Sequence, residues 1–134
     1  MLKQLSIYAE NKKGALQTMT NALYEAGINI WGSVTNDGAE YGINRMVVSD
    51  PDKAQEVLTE KGYLCRFVDV LAVEIEDKPG ALNTLLTALL DSNVNVDYTY
   101  LSFNRDSSTP VMILHTADPE EVEICLRAKG FKMV

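Results

Sequence analysis

A chain that repeats its own pattern once along its length has few folds open to it, and these 134 residues do so. At an offset of roughly 66 positions, the spacing from Leu5 to Leu71, Glu10 falls on Glu76 and Lys12 on Lys78. Gly14-Ala15-Leu16 then falls on Gly80-Ala81-Leu82, Thr18 on Thr84, Ala22-Leu23 on Ala88-Leu89 and Asn29 on Asn95. A slip of about two residues in a middle hairpin brings Asp50-Pro51 onto Asp118-Pro119 and Lys61-Gly62 onto Lys129-Gly130. Two copies of this length predict a duplicated domain, because a solenoid needs more and shorter units. The expected domains are 1–68 and 69–134, meeting near Val68-Asp69 without a Gly/Pro/Ser linker, so the halves are expected to stay close together.

Each copy reads as βαββαβ. Leu71, Val73 and Ile75 alternate with Ala72, Glu74 and Glu76, the period-2 pattern of a strand with one buried face, and Leu5, Ile7 and Ala9 repeat it. The next segment is a helix with Leu82, Leu85, Leu86 and Leu89 expected on its buried face, matched by Leu16, Met19 and Leu23. Gly27 ends that helix in one copy and Asn93 in the other, the two residue types that most readily take a left-handed conformation. Strands are expected over Asn29–Asn36 with Tyr41–Ser49, and over Val94–Phe103 with Thr109–Thr116. The intervening stretches N-D-G-A-E and N-R-D-S-S have hairpin chemistry. A second helix opens at Asp50-Pro51 or Asp118-Pro119, with Glu121 as a capping-box partner. Its stripe is Val57 and Leu58, or Cys125 and Leu126, and final strands are expected at Tyr63–Phe67 and Phe131–Val134. The fold class is α+β, with antiparallel sheets carrying their helices on one face. I-N-R-M-V-V and V-M-I-L-H are apolar on both faces, which predicts cover on the second face, with another copy of the chain as the simplest candidate and hence a homodimer.

Charge and composition exclude several classes of function. The net charge is −7 and no lysine or arginine run interrupts it, so neither a phosphate backbone nor an anionic membrane finds its usual partner. Tyr98, Tyr100 and Phe103 lack the basic surroundings of an RNA-recognition sheet, and nucleic acid is not an expected partner. The start M-L-K-Q-L-S-I-Y-A-E lacks a signal peptide's apolar core, and no apolar run approaches the ~18 residues of a membrane helix, so a cytoplasmic location is expected. Cys65 and Cys125 are too few for a disulfide scaffold and have no activating partner, and no Cys/His pattern offers a metal site. The single histidine, His115, reads as a structural residue on a strand, and Ser107 and Ser108 belong to a turn. No cofactor and no catalysis are expected.

The repeated turn is the remaining candidate. E-N-K-K-G-A-L and E-D-K-P-G-A-L each lead from a strand straight into a helix, whose first amides lack intrahelical partners and whose dipole favours an anion. Gly14 and Gly80 leave the backbone open to close approach, and Pro79 fixes one helix entry where Lys13 stands in the other copy. Asn11 and Asp77 place a side-chain oxygen where it can cap the turn or meet an ammonium. A capped helix start needs no ligand, so the loop alone does not establish a site.

The D-K-P-G-A-L loop, its helix, and A-G-I-N-I (Ala26 to Ile30) echoed by S-N-V-N-V (Ser92 to Val96) resemble the ACT domain. The resemblance covers nearly the whole chain as two consecutive domains. It implies a ferredoxin-like fold repeated twice, the halves joined into one eight-stranded sheet, and a regulatory module that binds a free amino acid between domains. Carried over, one site uses Asn11, Gly14, Ala15 and Leu16 with Asn29 and Ile30. The other uses Asp77, Pro79, Gly80, Ala81 and Leu82 with Asn95 and Val96. The departures at Lys13/Pro79, Trp31/Asp97 and Gly32/Tyr98 make two unequal pockets an expectation. The alternative is a detached regulatory subunit docked on an amino-acid-metabolic enzyme, acetolactate synthase being one such case.

Overall fold

The computed structural model describes residues 1–36 and 41–134; the N-D-G-A-E hairpin turn expected at Asn36–Glu40 thus falls almost wholly outside the described residues. In chain order the elements are β1 (Leu2–Glu10), α1 (Ala15–Glu25), β2 (Ile30–Asn36), β3 (Tyr41–Val48), α2 (Pro51–Glu60) and β4 (Leu64–Glu74). The second half adds α3 (Ala81–Asp91), β5 (Tyr98–Phe103), β6 (Pro110–His115), α4 (Pro119–Ala128) and β7 (Lys132–Met133). They form two compact units, Lys3–Val68 and Met1–Leu2 with Asp69–Val134.

In the first unit the strand order is β2-β3-β1-β4. β1 and β3 are antiparallel, with Leu5 opposite Met46 and Ile7 opposite Asn44, and β2 lies on the other side of β3 with Thr35 opposite Asn44. The core comprises Leu5 and Ile7 from β1, Met19 and Leu23 from α1, Met46 from β3 and Leu58 from α2. The second unit repeats this with Leu71 opposite Leu114 on β4 and β6, β5 beside β6, and β7 beside β4. Its core takes Leu71, Val73, Leu85, Leu89, Leu114 and Leu126 from equivalent places. Removing such a side chain from water contributes roughly 1.5–3 kcal/mol apiece, so the two cores carry most of the folding energy.

The strands number seven among the described residues, against the eight expected. The last strand of the first copy and the first of the second are one segment, Leu64–Glu74, because neither glycine nor proline interrupts it. β5 begins at Tyr98, leaving Val94 to Asp97 outside it. On α3 the buried row is Leu85 and Leu89, whereas Leu82, Leu86 and Leu90 are exposed; on α1 Leu16 is exposed beside buried Met19 and Leu23. A leucine-rich helix offers two adjacent rows at i,i+4 spacing, and only contact with the sheet selects one. Val57 and Cys125 are likewise half-buried beside the buried rows Ala54/Leu58 and Val122/Leu126. Gly27 and Asn93 both take the left-handed conformation, with φ of 72° and 57°. Val47, Val111 and Ile113, on the second faces of their strands, are buried.

The helix caps also differ between copies. Asp50 Oδ1 accepts from the Lys53 amide at 3.2 Å, but the Asp118 side chain makes no cap bond, so the capping box expected with Glu121 does not form. Asp50→Ala should therefore cost about 1 kcal/mol of stability in urea unfolding, and Asp118→Ala less than half as much.

Candidate functional site

Both strand-to-helix loops fold to the same local geometry. Gly14 sits at φ 83°, ψ −5° and Gly80 at φ 87°, ψ −7°, each the residue before the first helical position. A left-handed backbone there excludes most side chains by strain; a Cβ built on either glycine meets nothing within 4 Å. Glycine is therefore needed for conformation, and it leaves open space beside the turn. The Ala15 amide donates to Lys12 O at 3.1 Å and the Ala81 amide to Lys78 O at 3.2 Å. Thr18 and Thr84 turn their hydroxyls back onto the carbonyls of Gly14 and Gly80. An exposed ion pair recurs across each loop, Lys12 with Glu10 at 3.2 Å and Lys78 with Glu76 at 2.7 Å.

The first turns of α1 and α3 set these two helices apart from α2 and α4. Neither α1 nor α3 has a side-chain cap, and neither carries an acidic residue in its first turn. α2 has both, in Asp50 and Asp52, and α4 begins with Glu120 and Glu121. The partial positive charge at a helix start is worth typically 0.3–1 kcal/mol to an anion nearby. In α2 and α4 acidic side chains of the chain itself supply that negative charge, and in α1 and α3 none does.

Each loop borders a cavity within its own unit. In the first unit about 870 Å³ lies between the end of β1, Lys12 to Ala15, and Gly62 to Leu64. In the second, about 410 Å³ lies between Glu74 to Glu76, Lys78, Ala81 and Gly130 to Lys132, the equivalent place. A smaller cavity of about 160 Å³ lies on another flank of α1, against Asn11, Ala15, Leu16, Thr35 and Asn44. Glu74, at the wall of the second-unit cavity, is 12% exposed and its Oε2 lies 3.1 Å from Lys132 Nζ. The Lys132 ammonium holds the Glu74 carboxyl below its ordinary range against the opposing effect of burial, helped by the Thr109 and Ser107 hydroxyls.

The residues carried over from the ACT resemblance divide between two regions in each unit. Gly14, Ala15, Leu16 and Asn11 gather at the start of α1, and Asp77, Pro79, Gly80, Ala81 and Leu82 at the start of α3. Asn29 and Ile30 lie beyond the other end of α1, an 11-residue helix and so roughly 16 Å long. The Asn29 amide donates to Ser49 Oγ at 2.9 Å. Asn95 donates to Asp97 Oδ1 and borders a separate cavity of about 420 Å³, while Val96 packs on the core. Among the described residues, the cavities that border Gly14, Ala15 and Ala81 have neither Asn29, Ile30, Asn95 nor Val96 in their walls.

Reactive groups are held in structural roles. His115 stacks on Tyr98 with centroids 5.0 Å apart, and its Nδ1 is 2.8 Å from Asp97 Oδ2. Burial pushes the Cys65 thiol up, away from thiolate character. Among the described residues no cluster of three His, Cys, Asp or Glu side chains could hold a metal ion, and no helix is long and apolar enough to cross a membrane. Sequence reasoning missed Asn44 and Glu74. Asn44 had a signal, a polar residue on the core-facing side of an apolar strand, whereas the Glu74 contact with Lys132 depends on how β4 and β7 pair.

Residues 1–133 match the family described as an ACT domain pair. A crystal structure of a protein from Bacteroides thetaiotaomicron is 30% identical, covers 99% of this chain and 91% of its own, and superposes with a TM-score of 0.90. The ligand-free regulatory subunit of aspartate kinase from Thermus thermophilus shares the fold at 17% identity, TM-score 0.68, with 94% of this chain and 88% of that one covered. The regulatory subunit of aspartate kinase from Thermus flavus does so at 20% identity and TM-score 0.61, over 96% and 91%. No match was found among curated protein sequences.

The Glu74 contact has a pH signature. A carboxylate whose pKa is lowered on folding adds stability above its unfolded pKa and loses it as pH falls through the folded value. Urea unfolding from neutral to acidic pH should therefore show a shallower acid loss in Glu74→Gln and in Lys132→Met than in the unsubstituted protein.

Proposed function

Since the chain belongs to the family of ACT domain pairs, a regulatory domain type, we propose that it is a non-catalytic sensor of a free amino acid. The domains in this reading are 1–68 and 69–134, and the α-carboxylate of the ligand rests on the first amides of α1 or α3. The observation that supports it is the pair of helix starts that lack both a side-chain cap and first-turn acidic residues, while α2 and α4 have at least one of these. Carboxylates suit such amides, and Gly14 and Gly80 leave the approach clear. Adjacent oxygens from Asn11 or Asp77 suit the ammonium end of a zwitterion.

The output of such a sensor passes to another protein. Two of the similar structures are regulatory subunits of aspartate kinase, which supports an enzyme of amino-acid metabolism as the partner and gives no ground for acetolactate synthase in particular. A subunit that docks without binding an amino acid is the second reading.

A thermal-shift screen of the common amino acids separates the two. Ligand at 100-fold its Kd stabilises by about 2.7 kcal/mol, a rise of several degrees for one or two amino acids. No rise with any of them contradicts the sensor. The placement is tested by Gly80→Asp against Gly80→Asn. Both side chains tolerate the left-handed turn about equally, so each should cost about 1 kcal/mol or less, with Asp the less destabilising of the two because its charge sits at the helix start. Asp adds a negative charge at the carboxylate position, and binding to the second unit should be lost in it but only weakened in Asn. Equal affinities in the two variants contradict the placement.

A further inference from the structure

β3 carries Asn44 on the same face as Met46 and Val48, the face that packs on the helices. Asn44 is only 3% exposed. Its Nδ2 donates to Thr35 Oγ1 at 2.7 Å, across the β2–β3 register that sets the two residues opposite each other. Its Oδ1 is equally buried and has no hydrogen-bond partner within the protein. A buried carbonyl left without a donor costs roughly 1–3 kcal/mol, so its retention needs a reason.

The second unit supplies an internal control. Leu5 pairs with Met46 as Leu71 pairs with Leu114, so Asn44 corresponds to Met112, and Thr35 corresponds to Leu101. The same fold is thus completed by two apolar side chains at these places, and the backbone does not require an amide. What the first unit has instead is the cavity of about 160 Å³, bordered by Asn11, Ala15, Leu16, Gly42, Thr35 and Asn44. One water occupies roughly 30 Å³ of liquid, so the cavity has room for a short side chain. Gly42 corresponds to Pro110 and leaves that space unfilled. Asn11, Ala15 and Leu16 at the uncapped start of α1 and Asn44 on β3 share the walls of this cavity.

We propose that Asn44 selects the ligand of the first unit: a free amino acid whose side chain enters this cavity and donates a hydrogen bond, from a hydroxyl, amide or ammonium group, to Asn44 Oδ1. Thr35 acts as a positioning residue, holding the amide nitrogen so that the carbonyl faces the ligand. This rests on the amino-acid-sensor reading given above. A site that hydrogen-bonds a ligand side chain discriminates strongly against the analogue lacking the donor, because its own polar group is then left unpaired. The second unit, with Met112 and Leu101, has no such preference.

The full chain titrated calorimetrically with L-serine, L-threonine, L-asparagine and L-lysine, and with L-alanine, L-2-aminobutyrate and L-norleucine, tests this. At least one donor-bearing amino acid should bind tenfold or more tightly than its donor-free analogue. Asn44→Met with Thr35→Leu, which copies the second unit and should fold, is expected to remove that preference, and Asn44→Asp, which keeps an acceptor, to retain it. Tightest binding of a donor-free amino acid, or a preference unchanged in the double variant, overturns the role of Asn44 and leaves the sensor reading standing. Binding of none of them overturns the role of Asn44, and the absence of any response in the thermal-shift screen overturns the sensor reading as well.

Discussion

A helix begun without a side-chain cap is the constraint on which this protein's organisation depends. In each unit the chain leaves a strand, passes through a glycine at φ 83° or 87°, and enters the helix with no side chain turned back to cap it. The left-handed glycine aims the helix so that its apolar row, Met19 with Leu23 or Leu85 with Leu89, lies on the sheet. The same turn leaves the amide end beside a cavity. Fold and candidate site thus share one backbone event: a residue with a Cβ at that position disturbs both.

Duplication lets one unit serve as the measure of the other. Where both copies agree, in the glycine turn, the threonine back-bond and the Lys–Glu pair across the loop, the feature belongs to the shared scaffold. Where they differ, the first unit buries Asn44, bonded to Thr35, where the second buries Met112 beside Leu101. The second instead has Glu74 held by Lys132 at its cavity wall. Two copies of one fold with unlike interiors suit two unlike ligands, or one occupied unit and one that serves packing alone.

Much of the fold was legible because its signals are local. The glycine turns, the Gly27/Asn93 helix ends and the Asp50-Pro51 start each depend on a few adjacent residues with fixed conformational preferences. The missed features are those that depend on distant partners. Two strands became the single β4 because nothing between Leu64 and Glu74 breaks it, and the repeat boundary leaves no mark on the backbone. Leu82 and Leu86 read as core by periodicity, yet the sheet meets the neighbouring row. Asp118 has the residue type of a cap without the bond, since capping needs a rotamer as well as a position. Of the candidate site, the loops were legible and Asn44 was not, because its unpaired carbonyl shows only once β2, β3 and α1 are placed together.

A sensor of this kind works only if those leading amides meet an anionic head group. An amide-resolved NMR titration with the amino acid that most raises the melting temperature addresses this directly. The largest shifts should fall on the N–H groups of Leu16 and Gln17, or of Leu82 and Asn83, and saturate at the affinity found by calorimetry. Saturable shifts confined to residues remote from both helix starts would contradict it.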